Sequence, residues 1–212
     1  RREEMRSFSK YTILVIIILA GSAFSCNSGD TKTSGKDKKT NSVNFNEYFP
    51  ISEGNKWVYI NEAPREETVL YTVQVKDLKK VEEGMQFKVS TFPYLTQSNE
   101  ERTVKIRNSG EIEIKDYMGA SGTIVPKAGD MRTGYDWKFG IFTGYVNSEN
   151  ETAVTEAGTD VDCIYVSMTD GFTFSYEMWF KKDVGIVKWG ANRTNPPQLT
   201  RTYYVLKEIE LK

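Results

Sequence analysis

The chain has 212 residues, with 28 basic and 29 acidic side chains, a formal net charge of −1 and no histidine. A near-neutral chain without a basic stripe argues against a nucleic-acid partner. The missing histidine excludes Ser-His-Asp and Cys-His catalysis and histidine-containing zinc sites, and it removes the commonest general base near neutral pH.

The first segment in chain order is a leader. Met5 reads as the start, with Arg1 to Glu4 as read-through upstream of it. Arg6 and Lys10 form a basic n-region, and Tyr11 to Phe24 is uncharged and mostly aliphatic. That is the n-region and h-region of a secretory signal peptide. A membrane-spanning helix needs roughly 20 apolar residues, and this run is shorter. It ends in Ser25, Cys26, Asn27 and Ser28 rather than in a basic stop-transfer cluster. Cleavage before Cys26 would free its thiol for a diacylglyceryl group and its amine for an acyl chain such as palmitate. One chain binds a membrane marginally, whereas two or three anchor stably. Ala23-Phe24-Ser25 makes a relaxed lipobox, with Ala23 where leucine is usual. An ordinary signal-peptidase cut, with Cys26 as a plain residue, is the alternative. The expected address is the cell envelope, lipid-anchored to a bacterial membrane, periplasmic or surface-facing, with the outer membrane favoured.

Three regions follow: residues 1–25 as signal peptide, 26–44 as lipidated cysteine and tether, and 45–212 as one all-β domain. Asn27 to Ser42 contains no apolar residue, so it cannot bury enough surface to order itself. As a coil it spans about 20 Å. Residues 1–25 hold four basic and two acidic side chains, so the remainder carries a net charge of about −3.

The domain reads as strands with one buried face. Val69, Tyr71, Val73 and Val75 alternate with polar residues, as do Met85, Phe87 and Val89. Val104 and Ile106, then Ile112 and Ile114, continue the pattern. Period two over such lengths marks half-buried strands. Glu83-Gly84, Asn108-Ser109-Gly110 and Asp170-Gly171 are turn signals at hairpin spacing. Met118 to Gly144 is glycine-rich and predicts loops and short strands. Val161 to Met168 is a strand, and Phe172, Phe174, Tyr176, Met178 and Phe180 share one face of the next. Arg201 to Leu211 places Tyr203, Val205, Lys207, Ile209 and Leu211 on one face. The sum is about nine to eleven antiparallel strands in meander order.

Candidate site residues are few. With Cys26 acylated, Cys163 is the remaining thiol, on a strand pattern with no basic neighbour in sequence to lower its pKa. It reads as a small buried hydrophobe. Glu111 with Glu113, and Asp160 with Asp162, are i, i+2 carboxylate pairs of the kind glycosidases use across a cleft. They read more simply as the wet side of strands. Trp179 lies opposite the phenylalanine face, among Ser175, Glu177 and Lys181, and is either covered by a second small core or exposed to bind. Trp57 and Trp189 are the other candidates for a ligand mouth. No catalytic residue, cofactor or metal ligand is expected.

Three stretches carry a resemblance. Tyr48-Phe49-Pro50 through Gly54-Asn55, Trp57 and Tyr59 resembles the YFPxxxGNxWxY opening of a group of uncharacterised bacterial envelope lipoproteins. Ala157-Gly158-Thr159 with Cys163 and Val166 resembles their AGTxxxCxxV segment, with Asp160 replacing an aromatic residue. Trp179-Phe180, Lys182, Val184-Gly185 and Val187-Lys188 resemble their WFxKxVGxVK close. The resemblance implies a single curved antiparallel sheet or an open barrel or half-barrel, and no catalytic residues. The function expected is a membrane-anchored lipoprotein whose β domain binds or carries a hydrophobic ligand or an envelope protein. A structural or adhesive surface lipoprotein with a filled core is the second reading. Trp179, Glu177, Trp57 and Trp189 are the contact residues to examine, and an enzyme is the least favoured class.

Overall fold

The computed structural model describes residues 46–62, 69–90, 101–117, 120–193 and 200–212. The signal peptide, Cys26 and the tether lie outside the described residues. The described residues belong to one compact unit. Its strands are β1 Lys56–Asn61, β2 Leu70–Val81, β3 Gly84–Val89, β4 Arg102–Arg107, β5 Ile112–Tyr117 and β6 Ala120–Val125. After a single 3₁₀ turn at Ala128–Asp130 come β7 Asp136–Phe139, β8 Phe142–Thr155 and β9 Gly158–Thr169. The last three are β10 Phe174–Lys181, β11 Gly185–Arg193 and β12 Thr200–Glu210.

All twelve join one antiparallel sheet in the order β6-β5-β4-β3-β2-β1-β12-β11-β10-β9-β8-β7. The expected all-β meander and curved, barrel-like sheet are what the chain forms. The strand count is higher than the alternation alone predicts, because β8 carries little apolar alternation beyond Val146. The sheet curls until its two edges, β6 and β7, approach. A Cβ on Gly140 would lie 2.4 Å from that of Ala120, so the seam needs glycine there.

Pleating decides what fills the interior. In β3 to β5, Phe87, Val89, Val104, Ile106, Ile112 and Ile114 are buried while their neighbours face out. Two predicted faces are corrected. Phe172 lies in a turn and is 88% exposed, because Asp170 Oδ1 accepts from the N–H groups of Phe172, Thr173 and Phe174 and delays the strand to Phe174. In β12, Val58 pairs with Glu208 but Tyr59 with Leu206, so Lys207 is an extra, bulged residue. A bulge reverses the side-chain parity. Tyr204 and Leu206 therefore pack on the core, while Tyr203 and Val205 take the outer face.

The chain enters at the end where the β4–β5 and β10–β11 turns lie. Phe49 stacks on Trp57 at 5.6 Å. Buried Asn46 donates from Nδ2 to the carbonyls of Gly110 and Pro126 at 2.9 and 3.2 Å, and Asp183 N–H donates to the Glu47 carbonyl at 2.7 Å. This strap ties three turns to the entering chain. Asn46→Ala leaves two buried carbonyls unpaired and is expected to lower unfolding stability by about 1–3 kcal/mol, read as a lower urea midpoint with an unchanged slope.

Candidate functional site

Strand alternation in β10 sends Tyr176, Met178 and Phe180 inward and Glu177 and Trp179 outward. Register then gives Trp179 its neighbours. Its Cα partner on β9 is Tyr165 and on β11 is Lys188. The Tyr165 ring stacks on Trp179 at 4.7 Å with an interplanar angle of 16°. Lys188 Nζ lies 5.4 Å from the Trp179 ring centre and 4.8 Å from that of Tyr203. Tyr203 meets Trp179 edge-on at 6.0 Å. Its ring lies over Gly190, where any Cβ would come within 2.3 Å of Tyr203 Cδ1.

The polar groups of this cluster are paired. Glu177 accepts from the hydroxyls of Tyr165 and Tyr203 at 3.1 and 2.5 Å. Lys188 donates to Glu62 at 2.7 Å, and its side chain is only 17% exposed. Burial first, then the Glu177 carboxylate, raises the Tyr165 hydroxyl above the usual phenol range. It is therefore a donor at every physiological pH.

A stacking platform for a sugar or flat ligand needs a free ring face. Trp179 is half-buried, with Tyr165 stacked on it from one neighbouring strand and Lys188 beside it on the other. Chemically the arrangement holds a carboxylate between two phenols and a cation between two rings. It closes the outer face of β9 to β12 as a second small core.

Trp57 and Trp189, considered above for a ligand mouth, are core residues on the opposite face. Trp57 is 1% exposed and donates from Nε1 to the Val184 carbonyl at 2.7 Å. Trp189 is 2% exposed, stacks on Tyr204 at 4.3 Å and meets Tyr59 and Tyr71 edge-on. Neither comes near Trp179, because residue 189 has the opposite parity to Lys188. Sequence reasoning singled out Trp179 and Glu177 but missed Tyr165, Tyr203, Lys188 and Glu62. Only strand register brings those together.

Neither carboxylate pair stands on a regular strand face, and Glu111 lies just before β5. Glu113 is bound to Arg107 Nε at 2.6 Å, and Glu111 accepts from the Ser109 hydroxyl. Asp162 has a φ of 55°, so Asp160 and Asp162 are not on one regular strand face. Among the described residues no group of three or more cysteine, aspartate or glutamate side chains gathers.

No family model matches the chain, and no curated protein matches it. Two solved structures resemble it. A candidate lipoprotein of Parabacteroides distasonis ATCC 8503 shares 16% identity over 78% of this chain and 99% of its own, with a TM-score of 0.46. A candidate exported protein with a YmcC-like fold from Bacteroides fragilis NCTC 9343 shares 15% identity over 77% and 98%, with a TM-score of 0.49.

Cys163 is fully buried. Burial first, then the nearby Asp160 carboxylate, pushes its thiol up to about 11. The thiolate is the reactive form, so a disulfide reagent at about pH 8 is expected to leave Cys163 unmodified in the folded protein. It should label Cys163 fully after denaturation.

Proposed function

We propose that this chain is a lipid-anchored lipoprotein of the bacterial cell envelope, held through Cys26, whose β domain makes contacts through its outer surface. The anchor rests on the basic n-region, the short uncharged run and the cysteine followed by a polar tether. The domain acts by binding or scaffolding rather than by catalysis. The chain has no histidine, and its buried thiol is held protonated.

The observation that carries the choice is the filled interior. Trp57, Tyr59, Phe87, Phe139, Phe142 and Phe180 are fully buried inside the sheet. Carriage of a ligand there needs room of several hundred Å³, and removing one such aromatic side chain from a core costs about 3–5 kcal/mol. Of the expected readings, the filled core supports contact with an envelope partner, or a structural or adhesive role, over internal carriage of a hydrophobic molecule. Exposed apolar side chains support the same view. Ile141 and Phe172 are 74% and 88% exposed at the tips of the β7–β8 and β9–β10 turns. Those turns lie at the end opposite Asn46, where the tether joins.

Two measurements test this. Native mass spectrometry of protein purified from membranes should give the acylated polypeptide alone; a stoichiometric non-covalent lipid would overturn the filled-interior reading. Cys26→Ala should release the domain into the soluble fraction, and retention at the membrane would overturn the anchor.

A further inference from the structure

The outer face of β3 to β6 holds a cleft of about 870 Å³, within the size range of small-molecule sites. Because Phe87, Val104, Ile106 and Ile112 point inward, alternation turns the intervening residues outward. Gln86, Thr103, Lys105, Arg107, Glu113 and Lys115 line the cleft. Register aligns three of them, since Gln86 pairs with Lys105 and Lys105 with Glu113. The side chains of Lys105 and Glu113 are only 25% and 22% exposed, although both leave the outer face of the sheet.

The cleft is rich in hydrogen-bond donors, and its carboxylates are already engaged, Glu113 by Arg107 and Glu101 by Lys76. Arg107 donates from Nε to Glu113 at 2.6 Å and from Nη1 to Glu83 at 3.2 Å. Lys105 donates to the same Glu83 oxygen at 2.6 Å. A guanidinium has five N–H groups and an ammonium three, so both heads keep donors unspent. The two carboxylates hold those heads in place, as a preorganised site requires. Lys115 lies two residues from Glu113 on the same strand face. It is exposed and makes no ion pair with the described residues. The lining holds four cations, Arg102, Lys105, Arg107 and Lys115, against the carboxylates Glu101 and Glu113, with Glu83 paired to two of the cations; the remaining positive charge is met by a ligand that brings negative acceptors.

We infer that this cleft binds an oxyanion carried on a polar, hydroxyl-bearing molecule, namely a sugar phosphate or an acidic sugar. The oxyanion sits against Lys115 and Lys105, diagonal neighbours across the β4–β5 ladder, because charge-assisted bonds are the strongest available there. Gln86 and Thr103 provide donors and acceptors for hydroxyls. The cleft is larger than a bare anion needs, and its charged walls disfavour an apolar body. This rests on the outer surface being the working surface. The native-mass measurement addresses the interior, so the two can fail separately.

The test is calorimetric titration of the whole chain in a neutral detergent with glucose 1-phosphate, glucuronate, glucose and inorganic phosphate. Saturable binding of glucose 1-phosphate or glucuronate, with glucose silent, is expected, and the tighter of the two names the oxyanion. Lys115→Ala removes an exposed side chain without an ion partner, so the fold should persist, and affinity should fall about fivefold. Lys138→Ala, outside the cleft, should change nothing. No saturable heat from either acidic probe up to about 10 mM, or equal binding by Lys115→Ala, would overturn the site. Inorganic phosphate binding as tightly as glucose 1-phosphate would overturn the sugar half of the assignment.

Discussion

β1 lies against β12, so the first strand of the domain pairs with the last, Lys56 opposite Glu210 and Asn61 opposite Tyr204. Every other ladder joins strands adjacent in the chain. This one closes a loop of some 150 residues, at an entropic cost of about 4 kcal/mol before any contact offsets it. Its position sets the architecture. With β1 and β12 central, the two halves of the meander roll away from them in opposite directions, and β6 and β7 become edges that meet at the seam. The start of β1 and the end of β12 also meet at one end of the sheet, where the Lys212 N–H donates to Asn55 Oδ1 at 2.8 Å.

The same pairing explains how two aromatic clusters coexist on one sheet. β1 puts Trp57 and Tyr59 inside and Val58 and Ile60 outside, all four buried. The bulge at Lys207 lets β12 follow it. Tyr204 joins Trp189 and Tyr71 inside, and Tyr203 joins Trp179 and Lys188 outside. Without the extra residue, Leu206 and Glu208 could not both pair with β1 as they do. A sheet stitched on both faces in this way has its interior committed to packing. On the outer surface the two halves differ. The face of β9 to β12 is aromatic and mutually satisfied, whereas the face of β3 to β6 is charged, indented and holds unspent donors.

Much of the strand framework was legible because alternation reports burial directly. Phe87 with Val89, Val104 with Ile106 and Ile112 with Ile114 each name a strand and its inner face. β8 was not legible beyond Val146. Its residues from Asn147 to Thr152 are polar, and it is held by a long ladder with β9 that carries several register shifts. Its hairpin reaches β12, where Ala157 N–H donates to the Leu206 carbonyl at 3.1 Å. Backbone hydrogen bonds of that kind leave no mark in hydrophobic periodicity. Of the candidate site, Trp179 and Glu177 could be named from their parity, but their partners sit on β9, β11 and β12, out of reach of any local pattern.

The class of domain, the inner faces of its regular strands, the absence of histidine and the candidate anchor at Cys26 can be read from the residues alone. Those follow from residue types and from a period of two, which are local properties. It takes the folded sheet to show that Trp57 and Trp189 are core, that Trp179 is stacked by Tyr165 and flanked by Lys188, and that Lys105, Arg107 and Lys115 line one cleft. Each depends on which strands are neighbours and in what register. A single bulged residue can change that register while leaving the composition untouched.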